Sequence, residues 1–248
     1  MFSLTREGAY AIVPSHISCH ALPERLFHKA DLYDPISYYS LVPSNVKPIY
    51  QVIVKLVCEL VPTSMSNTKI LLPPFSHLEL ILRMILLHHA SPNSSHGYPL
   101  AMCVHLNSVP MICLLLAAGA DPSLKKNIAL HVAVKQHHLP IVQLLVEQSD
   151  KLEYQWRSRL RLIAENLRIL TEARRTRRPQ RPSARAVPPL DATPPKRQKL
   201  SDRCSVDLAL LKTAVRSKAW DIVTYLLHTK GLIPDVDTLK IMDKYGMH

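Results

Sequence analysis

Apolar residues return along this chain at helical spacing, and one block of them returns in full. Ile49, Val52, Ile53, Leu56, Val57 and Leu60 recur at steps of three and four, placing them on one stripe of a helix that Pro62 ends. Leu78 to Asn93 begins as a second helix. Tyr98 to Asp121 reads as two short helices joined by a turn, and thirty residues on, Ile128 to Glu147 repeats that pattern. Leu152, Trp156, Leu160, Ile163, Leu167 and Leu170 then carry one stripe through about five turns of a longer helix. After a break the two-helix template returns as Ala209 to Val215 and Trp220 to Leu227, and Val236, Leu239, Ile241 and Met242 mark a last short helix.

Two stretches do not follow this pattern. Pro14, Pro23, Pro35 and Pro43 cut residues 1–45 into pieces too short for a helix. Residues 171–203 are rich in Arg, Pro, Ser and Ala with almost no aliphatic core formers, which predicts disorder. Because helical pairs resume beyond it, this stretch reads as an insertion, not a tail.

The repeats also agree in their details. Leu78–Asn93 aligns with Ser108–Ser123 without a gap: Ala90 falls on Ala120, Ser91 on Asp121 and Pro92 on Pro122. Cys103, Ala133 and Ala214 hold one equivalent position in the first helices, each a small residue. Asn107, His137 and Lys218 stand at the turn between helices, a position that tends to the left-handed backbone that Gly, then Asn, adopts most easily. Pro110 and Pro140 sit near the start of the second helices, where a missing N–H costs nothing.

With its Tyr98-Pro99-Leu100 opening and its Leu114-Leu115-Leu116-Ala117-Ala118-Gly119-Ala120-Asp121 close, the block resembles the ankyrin repeat, whose consensus runs T-P-L-H-x-A, then two helices, then L-L-x-x-G-A-D. The resemblance is closest over 98–147, looser over 75–97 and 207–231, and absent over 1–45. It departs from the family where Tyr98 and Ile128 replace Thr and where the motif's His survives only as His131, a position whose usual work is hydrogen bonding within the turn. The period of thirty is about three residues shorter than the family's, which argues against a full β-hairpin finger between repeats.

The resemblance implies an all-α, ankyrin-like helical-pair solenoid of about four to five repeats, each burying its apolar face on the next. The expected divisions are an irregular N-terminal region (1–45), repeats plus a long closing helix (46–170), the disordered Arg/Pro-rich insertion (171–203), and a C-terminal repeat with a short helix (204–248).

Composition adds charge to this picture. The formal charge is +12, very unevenly spread. Residues 1–150 hold 10 Lys and Arg against 9 Asp and Glu, a net of +1; residues 204–248 hold 6 against 5, again +1; residues 151–203 hold 15 against 5, a net of +10. Five cysteines, odd in number and without a C-x-x-C pair, argue against a zinc site or a disulfide framework. Reduced thiols, the lack of a basic-then-apolar leader pattern and the shortness of the apolar run Met111–Ala118 lead to the expectation of a soluble intracellular protein without a membrane span.

No catalytic motif is present: there is no G-x-S-x-G, phosphate-cradling Gly loop or H-E-x-x-H. His88-His89 and His137-His138 are adjacent pairs, whose side chains diverge by about 100° on a helix and chelate one ion poorly. No metal or cofactor is expected. Partner binding is instead implied by the resemblance, through loop tips and the exposed side of the first helices. The matching positions are Lys125, Lys126 and Asn127 in a loop, His105, Lys135 and Gln136 on first helices, and Arg216 and Ser217 in the last repeat. This mildly basic, His-rich face suits a protein partner with an acidic segment, and reversing Lys125, Lys126 and Lys135 is expected to weaken binding.

The basic insertion leaves three readings open. Lys196, Arg197 and Lys199, following Pro194-Pro195, have the composition of a nuclear localisation signal read by an import receptor, with Arg174, Arg175, Arg177 and Arg178 as an upstream cluster. The same cations could neutralise nucleic-acid phosphates without sequence preference. A solvated linker is the third reading. Leu22-Pro23-Glu24-Arg25-Leu26 faintly resembles the opening of an F-box, which would make the chain a ubiquitin-ligase substrate adaptor; an irregular cap packed on the first helices is the plainer reading. The expected function is a non-catalytic interaction scaffold, intracellular and nuclear.

Overall fold

The computed structural model describes residues 21–27, 47–65, 72–73, 75–175 and 202–246. Ten helices follow one another among these residues: α1 (Lys47–Cys58), α2 (Phe75–Leu86), α3 (Ser94–His105), α4 (Val109–Ala117), α5 (Leu124–Lys135), α6 (Leu139–Val146), α7 (Asp150–Arg175), α8 (Leu208–Arg216), α9 (Trp220–Thr224) and α10 (Val236–Lys244). A π-turn, Tyr225–Thr229, extends α9. No β-strand occurs among the described residues, apart from a single bridge between Ala21 and Ser91.

The first helices of successive pairs, α3, α5, α8 and α10, stack side by side as an inner layer. Two contacts fix α3 and α5 as parallel and in register. Gly97 at the start of α3 lies against Leu124 at the start of α5, and Gln136 just beyond α5 donates to the carbonyl of His105 at the end of α3, at 2.8 Å. The second helices α4, α6 and α9 form an outer layer, each folded back on its own first helix by a tight turn. Those turns hold Asn107, His137 and Lys218 at φ of 54°, 60° and 59°, the left-handed backbone expected at these positions.

The long helix departs from expectation. A closing helix would cover the end of the stack, yet α8 packs directly on α5, in the next place of the inner layer. Helix α7 turns back instead and lies across the outer side, against α1, α2 and α4. Trp156, Ile163, Leu167 and Leu170 are buried along that contact. Trp156 anchors it, donating its Nε1–H to the Leu60 carbonyl at 2.7 Å. Farther along, Arg83 of α2 donates to Thr171 at 3.0 Å while its Nε lies 3.2 Å from the buried Glu79.

This third layer explains why α4 is apolar all round. Val109 to Leu116 are all buried, because α3 covers one side and α1 and α7 cover the other. Some expected core positions are outside the core. Val52 of α1 is exposed, and Val236 and Leu239 face outward while Thr238 and Met242 take the buried side of α10. Residues 21–27 pack on α3 as a cap: Leu22 and Phe27 are fully buried, Ser94 exchanges hydrogen bonds with the backbone of Leu22, and His77 bonds the Leu26 carbonyl. Of the Leu-Pro-Glu stretch, Leu22 is buried while Pro23 and Glu24 are exposed. Most of the expected disordered insertion lies outside the described residues, but its two ends are described: α7 runs to Arg175, and Arg203 is anchored.

That anchor is dense. The backbone N–H of Arg203 donates to Val146 at 2.8 Å, its guanidinium donates to the Leu144 carbonyl at 2.8 Å and reaches Glu153 at 3.4 Å, and it stacks 5.0 Å from the Trp156 ring. Asp202 pairs with Lys230 and Glu147 accepts from the Tyr225 hydroxyl, each at 2.8 Å. The chain therefore re-enters the stack where it left, and α8 continues the repeat series that α5 and α6 began.

Candidate functional site

Stacking in register makes equivalent positions of the first helices into rows. The row nearest the middle holds Met102, Val132 and Thr213, all half-buried; Tyr98 and Ile128 lie one turn earlier, also half-buried. At the far end the row is His105, Lys135 and Arg216, each the last residue of its helix and each exposed. Lys244 ends α10 in the same way. Its N-cap Asp235 matches Asp207, the N-cap of α8: each carboxylate accepts from the N–H three residues on, Thr238 and Leu210. The inner face is thus a half-apolar floor bordered along one edge by a line of basic residues.

Cations at helix C-termini compensate the last unpaired carbonyls, so each residue alone has a local reason to be there. What is unusual is the lack of opposing charge. Asp121 is the only acidic residue between Met84 and Val146, and it sits at the other edge, accepting from Ser123. Among the described residues no carboxylate pairs with Lys135, Arg216 or Lys244. Burial lowers the pKa of His131 below its usual value, opposed by Asp207 and reinforced by Lys135; His138 is lowered by burial and by His137 beside it.

The expected partner-binding residues divide between two edges. Lys125 and Lys126 are among the residues that open α5, at the opposite end from Lys135, about 12 Å away along the axis. They belong to a left-handed turn, Lys125-Lys126-Asn127 at φ 51°, 57° and 58°, that repeats Ser95-His96-Gly97 at 51°, 56° and 82°. Three non-helical residues thus open each of these helices where the family carries a finger. Asn127 is buried and donates to the Ser205 carbonyl at 3.2 Å, so it ties repeats together and is no surface contact. Gln136 is likewise spent on His105, and the Ser217 hydroxyl donates to Ala214. Lys244 was missed by sequence reading; the offset of 28 residues between the two Asp N-caps is the signal that finds it.

Of the basic cluster, Arg174 and Arg175 fall in the last turn of α7. Arg177, Arg178, Lys196, Arg197 and Lys199 lie outside the described residues.

A groove of about 670 Å³ opens on the outer side, between the turn after α1, helix α6 and the start of α7, with Leu60, Met65, Leu144 and Trp156 among its walls. Its two carboxylates are engaged, Glu59 with Arg159 at 2.9 Å and Glu147 with Tyr225. It offers no converging acid, base and nucleophile. The buried thiols do not supply one: burial pushes Cys113 up to about 12 and Cys204 up to about 11, so both stay protonated at neutral pH. No group of three or more metal-ligating side chains is found among the described residues, and no described helix is long and apolar enough to cross a membrane.

Neither a curated protein nor a solved structure matches the chain. The ankyrin repeat family model does match, over residues 125–153, which span most of α5, all of α6 and the first residues of α7. Ankyrin repeats are interaction modules, and an all-α stack of helical pairs is the setting they require. Residues 125–153 thus match the ankyrin repeat, and the all-α stack of helical pairs around them is consistent with an ankyrin-like solenoid.

Proposed function

We propose that this chain is a non-catalytic, nuclear interaction scaffold that binds a protein partner through the inner face of its stack, with the basic edge His105–Lys135–Arg216 selecting an acidic segment. The observation that carries this reading is the unopposed row of basic residues beside a half-apolar floor, on a repeat type that serves protein binding. Charge complementarity at such an edge steers association and rejects basic competitors. Lys125 and Lys126, at the other end of α5, are secondary in this reading.

The test is capture of partners by the full chain from nuclease-treated extract, beside the variant Lys135→Glu/Arg216→Glu. A recurring acidic protein retained by the wild type and lost by the variant supports the reading. Equal capture by both overturns it. The nuclear part rests on Pro194-Pro195-Lys196-Arg197-Gln198-Lys199. Replacing Lys196, Arg197 and Lys199 by Ala in a fluorescent fusion should move the protein out of the nucleus, and unchanged location would remove the import reading.

A second reading has its own observation. Arg157, Arg161 and Arg168 are exposed along α7, which forms the first part of the segment, 151–203, that carries nearly all the net charge. This is a surface for nucleic-acid phosphates, and binding would weaken steeply with salt. Captured material that vanishes on nuclease treatment would favour it over the scaffold.

A further inference from the structure

The basic row has a pitch, and the pitch specifies a ligand. Adjacent packed helices lie about 8–10 Å apart, and His105, Lys135, Arg216 and Lys244 each end one of four adjacent inner helices. Gln136 locks the first interval by donating to His105. The four basic residues therefore mark steps of about 8–10 Å, running across the helices and not along any one of them.

A bound segment must present carboxylates on one side at that same step. In a β-strand, residues on one face recur at about 6.6 and 13 Å, neither of which fits. A polyproline II segment has three residues per turn and a rise of about 3.1 Å, so every third side chain points the same way at about 9.3 Å. We infer that the inner face takes an acidic segment in polyproline II conformation, with Asp or Glu at every third position, laid across the helix ends so that successive carboxylates meet Lys135, Arg216 and Lys244. This rests on the proposed reading of the basic edge and narrows it to a sequence pattern.

The contacts of the row agree with this orientation. The Nδ1 of His105 lies 3.2 Å from the side-chain nitrogen of Gln136, which holds the ring in place at the end of the line. Lys135, Arg216 and Lys244 are exposed, with no competing carboxylate paired to them among the described residues. The residues between the carboxylates would lie over Met102, Val132 and Thr213, which are half-buried and accept small apolar side chains, including proline. A segment already extended in water loses little freedom on binding.

The experiment uses fluorescence anisotropy with the full chain and two labelled twelve-residue peptides of identical composition, in about 50 mM salt so that exposed charges are not fully screened. One is (Glu-Pro-Ser)4, with Glu at every third place; the other has its four Glu residues contiguous, followed by (Pro-Ser)4. The protein is tested as wild type, as Lys135→Glu/Arg216→Glu, and as Lys125→Glu/Lys126→Glu. The last carries the same charge change on the opposite edge and controls for attraction to the basic insertion. The expected result is that the spaced peptide binds at least about tenfold more tightly than the contiguous one. The Lys135/Arg216 variant should abolish that preference and the Lys125/Lys126 variant should keep it. Should both peptides bind equally while the Lys135/Arg216 variant alone loses both, the spacing inference falls and the basic-edge reading stands. If the two variants behave alike, or neither peptide binds the wild type, the inner edge is not the site and both fall.

Discussion

Replacing Trp156 with Phe tests the least expected feature of the fold, the long helix laid back across the outer layer. The Trp156 side chain is 1% exposed, its Nε1–H donates to the Leu60 carbonyl at 2.7 Å, and its ring faces the Arg203 guanidinium at 5.0 Å. Phe keeps an aromatic face but removes the donor, and losing a buried partner of a carbonyl costs about 1–3 kcal/mol. The smaller ring vacates roughly 40 Å³, worth about 1 kcal/mol at roughly 24 cal/mol per Å³ of cavity. The total, about 2–4 kcal/mol, lowers Tm by roughly 5–15 °C in a chain of this size. Urea denaturation followed by circular dichroism measures it. The chain has two tryptophans, so Trp220→Phe leaves Trp156 as sole reporter of α7, and Trp156→Phe leaves Trp220 as reporter of the stack. With α7 buried against three other helices, the two reporters and the circular dichroism should give one coincident transition. A cost below about 0.5 kcal/mol, within the range of an ordinary surface substitution, or Trp156 emission changing well before the helical signal falls, would refute the third layer.

Three further outcomes follow from the geometry. Gly97 sits at φ +82°, and a Cβ added there would fall 3.2 Å from the Leu124 Cβ, so Gly97→Ala should cost about 1–3 kcal/mol in urea denaturation through backbone strain and crowding. His137→Gly should stabilise by about 0.5–1 kcal/mol by relieving a left-handed non-glycine residue, whereas Asn107→Gly at the equivalent turn should change little, because Asn tolerates that conformation; thermal melts of both variants check the contrast. His131 and His138 titrate below their usual 6.5 in the folded chain, so around pH 6 the unfolded chain binds more protons. Stability is then full above 6.5 and declines as pH falls toward the folded values; Tm measured between about pH 7.5 and 5.5 should drop, and the drop should shrink in His131→Gln/His138→Gln.

The period of thirty, the small positions Cys103, Ala133 and Ala214, and the left-handed turns at Asn107, His137 and Lys218 were legible because they are set by neighbours within one or two repeats. A helical pair carries its own turn chemistry and its own apolar stripe, so it can be read locally. The direction of α7 could not be read that way. Its stripe states that one face is buried, and says nothing of whether the end of the stack or the outer layer covers it. The decisive contacts join residues far apart in sequence: Trp156 to Leu60, Arg83 to Thr171, Arg203 to Leu144. The same limit governs the candidate site. Asn127 and Gln136 look like surface polar residues until Ser205 and His105 are brought against them, and Lys125 and Lys135 look like one patch until the helix between them is given its length.

The basic edge has a single cause. In a solenoid a residue's neighbours across the stack are its equivalents in adjacent repeats, so a property held at one repeat position becomes a line on the surface. His105, Lys135, Arg216 and Lys244 each satisfy a local demand for positive charge at a helix end, and stacking turns four local answers into one basic edge. Among the described residues no carboxylate pairs with Lys135, Arg216 or Lys244, and the segment from Met84 to Val146 spends its only carboxylate on a turn at the other end of the helices. At the described ends of the insertion, α7 departs along the outer layer and Arg203 is anchored beside α6, so α8 packs on α5 as the next inner helix. Were α7 a true closing helix, Arg216 and Lys244 would lie beyond it and the row would stop at Lys135. The outer position of α7 and the length of the basic edge are therefore one structural fact, and a variant that frees α7 without disturbing the inner stack should leave the ordering of peptide affinities unchanged.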